Sequence, residues 1–290
     1  MARKGKRPTR SPRWIGAILL ILLLGFALAW WVLKTPPPPE TPLPAVQPPP
    51  KPKPPPEIPP ETALKSITTV AKGKVAIVID DMGQSYRAFE RLAAIGVPMT
   101  FSVLPGLRYS RAIASKAHDR EFEVMLHLPM EPENPIHDPG EGAIREEMTL
   151  ADIHRQTRED LQAIPHAVGV NNHMGSLMTR NPEAMTAVLE EVQKDGLYFL
   201  DSKTTPQSVA YRIALDMGVP AAERQVFLDD LDDLDEIRKQ VDILERIAAR
   251  RGQAIAIGHP RPQTIQVLRE RLPGMERKGY RLVFLSDLVK

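Results

Sequence analysis

Val75-Ala76-Ile77-Val78-Ile79-Asp80-Asp81-Met82-Gly83 runs five aliphatic residues, four of them β-branched, into two adjacent acids and a glycine. A short apolar run closed by a turn signal reads as a strand buried on both faces, which is the habit of parallel sheets. The pattern recurs at Met99–Val103, Phe122–Leu126, Ala167–Val170, Tyr198–Leu200, Gln225–Leu228, Ala254–Ile257 and Arg281–Leu285. Segments of helical period lie between these runs: Tyr86–Ile95, Ser110–His118, Leu150–Ile164, Pro182–Lys194, Val209–Met217, Leu234–Arg251 and Gln263–Arg271. Thr149 with Asp152 has the spacing of a capping box, and Asn181-Pro182 places a cap before a proline at the first helical position. Strand-helix alternation of this kind predicts one β/α domain, an open sheet or a barrel.

Polar residues favour the barrel. Nearly every strand candidate ends on a group able to do chemistry: Asp80-Asp81, His127, Asn171-Asn172-His173, Asp201, Asp229-Asp230 and His259. Carboxyl ends of parallel strands are where β/α folds gather their sites. Each group also has a bland reading. Asp80-Asp81 before Gly83 could be only a turn, His127 a hydrogen-bonded core histidine, and Glu131 a solvated loop acid. Asp229 through Asp233 combines a loop with acids suited to a helix N-terminus, with Asp229 alone placed to reach a site. His118, His137, His154 and His166 read as surface residues. Ser176 lacks the GxSxG elbow, and HExxH, Walker A, GxGxxG and EF-hand patterns are absent. One carboxylate with two neutral imidazoles and an open position suits a catalytic Zn²⁺ site without thiolates, although Fe²⁺, Mn²⁺ or Co²⁺ accepts the same ligands.

The 290 residues contain no cysteine, which removes disulfides, thiolate metal sites and cysteine nucleophiles. The net charge of +2 is an average over unlike parts. Residues 1–34 carry seven Lys or Arg and no acid, residues 35–71 balance, and residues 72–290 are acidic. A nucleic-acid partner is therefore not expected, since a basic face is needed to neutralise phosphates. Trp14 to Leu33 is uncharged, long enough to span a hydrocarbon core of roughly 30 Å, and bounded by Trp14 and Trp30-Trp31. Ala27-Leu28-Ala29 offers a signal-peptide cleavage site, but apolar character continues beyond it. The expected organisation is a basic cytoplasmic stub (1–13), a single-pass signal anchor in the inner membrane (14–33), a proline-rich spacer (34–71) and an extracytoplasmic domain (72–290). Fifteen prolines between Pro36 and Pro60 preclude helix or sheet and predict an extended tether.

Taken in order, IDDMG (79–83), MTFSVLPG (99–106), MLHLPME (125–131), NNHMGS (171–176), FLDSKT (199–204), VFLDD (226–230) and AIGHP (256–260) resemble the divergent polysaccharide deacetylase family over residues 74–290. The resemblance implies a distorted (β/α) barrel of about seven repeats, a Zn-type metal and a bacterial envelope protein acting on polysaccharide or a peptidoglycan-like polymer. It implies Asp80 as general base, Asp81 as metal ligand, His127 as the first ligand histidine and His259 as general acid. Glu131 occupies the position of a second ligand histidine in better-studied deacetylases, so His173 is expected to complete the triad. Asp201 and Asp229 are candidate supporting acids. The domain lacks tryptophan, so only Tyr and Phe faces can meet a sugar. The alternative function is a non-catalytic envelope module that retains the barrel as a binding or scaffolding domain.

Overall fold

The computed structural model describes residues 72–290. The stub, anchor and spacer expected at 1–71 lie outside the described residues. Among the described residues, no helix is long and apolar enough to cross a membrane.

Nine strands alternate with seven helices: β1 (Gly73–Met82), α1 (Tyr86–Ala93), β2 (Thr100–Val103), α2 (Ser110–Asp119), β3 (Glu123–Met130), α3 (Leu150–Ala163), β4 (Ala167–Met174), α4 (Pro182–Lys194), β5 (Tyr198–Asp201), α5 (Ala210–Asp216), β6 (Ala221–Glu223), β7 (Val226–Phe227), α6 (Leu234–Arg251), β8 (Gln253–Gly258), α7 (Pro262–Arg277) and β9 (Tyr280–Val283). Short 3₁₀ turns follow β4 and β9. Every ladder is parallel, and the sheet order is β6-β5-β4-β3-β2-β1-β8-β7. β9 pairs with the first residues of β1, below the point where β2 takes over. β6 and β7 do not pair with each other. Instead, Lys290 exchanges both backbone hydrogen bonds with Ala221, covering the edge of β6. The result is the distorted β/α barrel expected from the sequence, with one unladdered seam.

Alternation along β1 divides the core in two. Val75, Ile77 and Ile79 pack outward into the large cluster shared with the helices, while Ala76 and Val78 point into the barrel with Met125, Leu200, Ile255 and Ile257. All five β1 side chains are fully buried. Each buried Val or Ile stabilises the fold by roughly 1.5–3 kcal/mol, so both faces of this strand are committed. At the amino end of the barrel, Glu123 Oε1 accepts from Thr100 Oγ1 (2.8 Å), Tyr198 OH (2.9 Å) and Ser286 N (3.2 Å), which closes the floor. The interior therefore changes from polar floor to apolar middle to polar rim.

The helix signals act as expected. Thr149 and Asp152 form a full capping box, and Asn181 Oδ1 accepts from Glu183 N and Ala184 N. β1, β3 and β4 run past their expected ends, to Met82, Met130 and Met174, and two further elements differ from the sequence reading. α7 continues past Pro273 to Arg277, because Leu272 and Met275 on either side of the proline are wholly buried and their packing outweighs the missing donor. β6 was not expected, since Ala-Ala-Glu has no strand pattern; it forms through backbone pairing with β5.

Candidate functional site

A regular strand sends neighbouring side chains to opposite faces, so Asp80 and Asp81 should part company. They do not. The register of β1 against β2 slips between Ile79 and Met82, where three steps on β1 oppose two on β2. Asp81 sits within this bulge at φ +54°, a left-handed conformation that Asp tolerates better than most residues. Both carboxylates consequently reach the rim of the barrel. Across the sheet, His127 is paired in register with Asn171, and His173 follows two residues later on the same face of β4. The chain then turns sharply at Gly175 (φ +81°), where a Cβ would lie 2.8 Å from that of Met130.

Asp81 Oδ1 lies 3.2 Å from His127 Nε2 and 3.0 Å from His173 Nδ1, and these two ring nitrogens are 3.1 Å apart. The three ligand atoms all fall within 4.8 Å of one another. Asp81 Oδ1 is sealed from solvent yet accepts no hydrogen bond. Its proximity to two imidazole nitrogens, without a bonded donor, is what a divalent cation with one carboxylate and two neutral histidines requires. Among the described residues this is the group of ligating side chains that fits a metal.

Two further groups flank it. Asp80 Oδ2 is 3.5 Å from His127 Nε2, and its Oδ1 accepts from Asn171 Nδ2 at 2.9 Å. On the other side, His259 Nε2 lies 3.7 Å from Asp81 Oδ2. The ring of His259 is held by Asp229, whose Oδ1 meets Nδ1 at 2.8 Å and whose Oδ2 accepts from His259 N (2.8 Å) and Thr264 Oγ1 (2.6 Å). Phe227 packs edge-on to the same ring at 5.4 Å. These groups open onto a cleft of about 670 Å³, lined also by Lys203, Arg224 and Arg261.

The electrostatics follow from these contacts. Burial opposes ionisation of Asp81, but the His127 and His173 rings hold its carboxyl well below the usual carboxylate range. Burial likewise opposes protonation of His127, and the Asp80 and Asp81 carboxylates nevertheless raise its pKa. His259 is also raised against burial, chiefly by its bond to Asp229, whose own pKa is lowered in return. His259 is thus biased towards carrying a proton.

The structure brings together Asp80, Asp81, His127, His173, His259 and Asp229. Glu131 stands apart from the trio: its Oε2 accepts from Glu146 N at 2.7 Å, pinning the loop that leads to α3. Asp201 turns away as well, accepting from Ser208 Oγ, Lys203 N and Tyr211 N to shape the loop before α5. His118, His137 and His166 are exposed, and His154 pairs with Glu190 and Glu191 on the helical surface. The sequence reading missed Ser102 as a member of the site, and gave Asn171 only as part of a polar strand end. Their signal was inward-facing polarity at the end of a buried strand, visible once alternation is fixed.

A sequence profile described as divergent polysaccharide deacetylase matches residues 77–289, well over half of the chain. The chain belongs to the divergent polysaccharide deacetylase family. Among its relatives, Escherichia coli (strain K12) YibQ is 42% identical over 205 residues, covering 69% of this chain and 63% of that protein. A Haemophilus influenzae (strain Rd) protein is 35% identical over 227 residues, 78% of this chain and 80% of its own. The chain therefore matches less than two thirds of the length of YibQ. A crystal structure from Agrobacterium tumefaciens C58 superimposes with a TM-score of 0.71 at 25% identity, covering 75% of this chain and 89% of that one.

Proposed function

We propose that this member of the family is a membrane-anchored, metal-dependent hydrolase that removes N- or O-acetyl groups from an envelope carbohydrate. One observation carries the reading: a carboxylate with an unpartnered oxygen between two imidazole nitrogens, flanked by Asp80 on one side and the Asp229–His259 pair on the other. Asp81, His127 and His173 would hold the cation, with Zn²⁺ the best match to the ligand set. Such an ion supplies Lewis acidity and a water of lowered pKa.

The chain's own residues supply the proton handling. Asp80, buried and accept-only when ionised, takes the proton from the attacking water. His259, whose affinity for a proton is raised by Asp229, gives a proton to the nitrogen or oxygen that departs as acetate is released. Asp229 fixes the ring so that Nε2 is the atom facing the reaction. Phe227 offers an apolar edge to the sugar. Residues 14–33 as an inner-membrane anchor and an extracytoplasmic domain fit a polymeric envelope substrate.

The full chain, loaded with zinc, is expected to release acetate from N-acetylated glycan oligomers or peptidoglycan fragments, measured by coupled acetate detection. Full zinc content with no release from any acetylated glycan or O-acetyl ester in the panel would overturn the catalytic reading and leave a binding module.

A further inference from the structure

Asn171 is completely buried and its amide touches four side chains of the site. Nδ2 donates to Asp80 Oδ1 at 2.9 Å and to Ser202 Oγ at 3.0 Å. Oδ1 accepts from Ser102 Oγ at 2.5 Å and lies 2.9 Å from His127 Nδ1. The two hydroxyls can donate or accept, so they give the amide no direction. Asp80 does. Its Oδ1 accepts from Nδ2, so the amide nitrogen faces Asp80 and the amide oxygen faces His127. An amide oxygen cannot donate, so His127 Nδ1 must carry the hydrogen. That leaves Nε2, 3.2 Å from Asp81 Oδ1 and 3.1 Å from His173 Nδ1, as the nitrogen able to ligate.

We propose that Asn171 is a positioning residue that couples the base to the metal site, letting the Asp80 carboxylate dictate, through one amide, which nitrogen of His127 faces the cation. The inference rests on the metal-dependent reading above. It explains why an uncharged amide, and not a second acid or base, occupies the centre of a cluster of titratable groups. Only an amide offers a donor edge to Asp80 and an acceptor edge to His127 at once.

Two substitutions pull the roles apart. Asn171→Leu removes the acceptor for His127 Nδ1–H, and zinc affinity is expected to fall about 10–100-fold, the usual effect of deleting a residue that orients a ligand. The protected Nδ1–H resonance of His127 should vanish with it. Asn171→Asp keeps an oxygen facing Nδ1–H and, by sharing one proton with Asp80 across the 2.9 Å contact, still gives Asp80 a donor edge, so zinc should bind about as tightly as in the wild type, with that resonance retained. Zinc affinity of the full chain is read by competition with a chromophoric chelator, and the ring by ¹⁵N-histidine NMR of the zinc-loaded chain. Equal weakening in both variants, or unchanged affinity in Asn171→Leu, would overturn the proposal. If the Leu variant does not fold, the Asp variant decides alone, and weaker zinc binding there refutes the coupling. Neither readout needs a substrate. A chain that shows this pattern and releases no acetate therefore sinks the deacetylase reading while upholding the role of Asn171.

Discussion

Asp81 and Asp160 each keep one carboxylate oxygen sealed from solvent with no donor to satisfy it, and they titrate in opposite directions. Asp160 lies on α3, where burial pushes it up to about 8; Gln156 Nε2 at 3.2 Å works against this, while Glu159 and Glu141 add to it. Asp81 also feels burial, but two imidazoles keep it ionised. A third acid, Glu123, represents the satisfied case, with three donors on one oxygen. The contrast separates an empty oxygen that becomes neutral from one that is kept charged. Only the latter has the charge that a metal ligand needs.

Asp81→Ala should break this contrast most severely: the purified chain is expected to lose its bound zinc, by metal analysis after dialysis, and acetate release with it. Full retention of zinc would remove Asp81 from the ligand set. His259→Ala should keep its zinc while acetate release drops about 10²–10⁴-fold, the ordinary contribution of a general acid. Loss of zinc in that variant would instead make His259 a ligand. Glu123→Ala should leave zinc untouched and destabilise the fold by about 3 kcal/mol, read from the denaturation midpoint, because buried donors lose their acceptor. Asp160→Asn gives the smallest effect and the most specific signature. The folded carboxyl holds its proton up to about 8, whereas the unfolded one loses it near the ordinary aspartate value of 3.8. Wild-type stability should therefore decline as pH rises between those values and level off above them. The Asn variant should lack that slope and be more stable by about 2 kcal/mol in alkaline buffer. An identical pH slope in wild type and variant would contradict the shift.

The legible part of this molecule is the part where one residue's chemistry is independent of exact geometry. Apolar runs ending in Asp or His marked the strands, and the Asp80, Asp81, His127, His173 and His259 that close them do meet at one rim. What escaped depends on backbone detail that letters do not carry. β6 is held by its neighbour's backbone and not by its own side chains. Glu131 sits in line with a ligand position, yet its carboxylate is taken by Glu146 N. Asn171 reads only as one member of a polar strand end until the pleat of β4 places it inward, beneath the acids.

The bulge at Asp80-Asp81 has an implication for how such a domain can change. Because a pleat alternates, removing Asp80 or Asp81 would restore regular pairing with β2 and leave a single inward carboxylate opposite Ser102 where there are now two. The acidic pair is thus encoded in the length of a strand as much as in its composition, and a single-codon deletion would dismantle it while leaving the barrel standing.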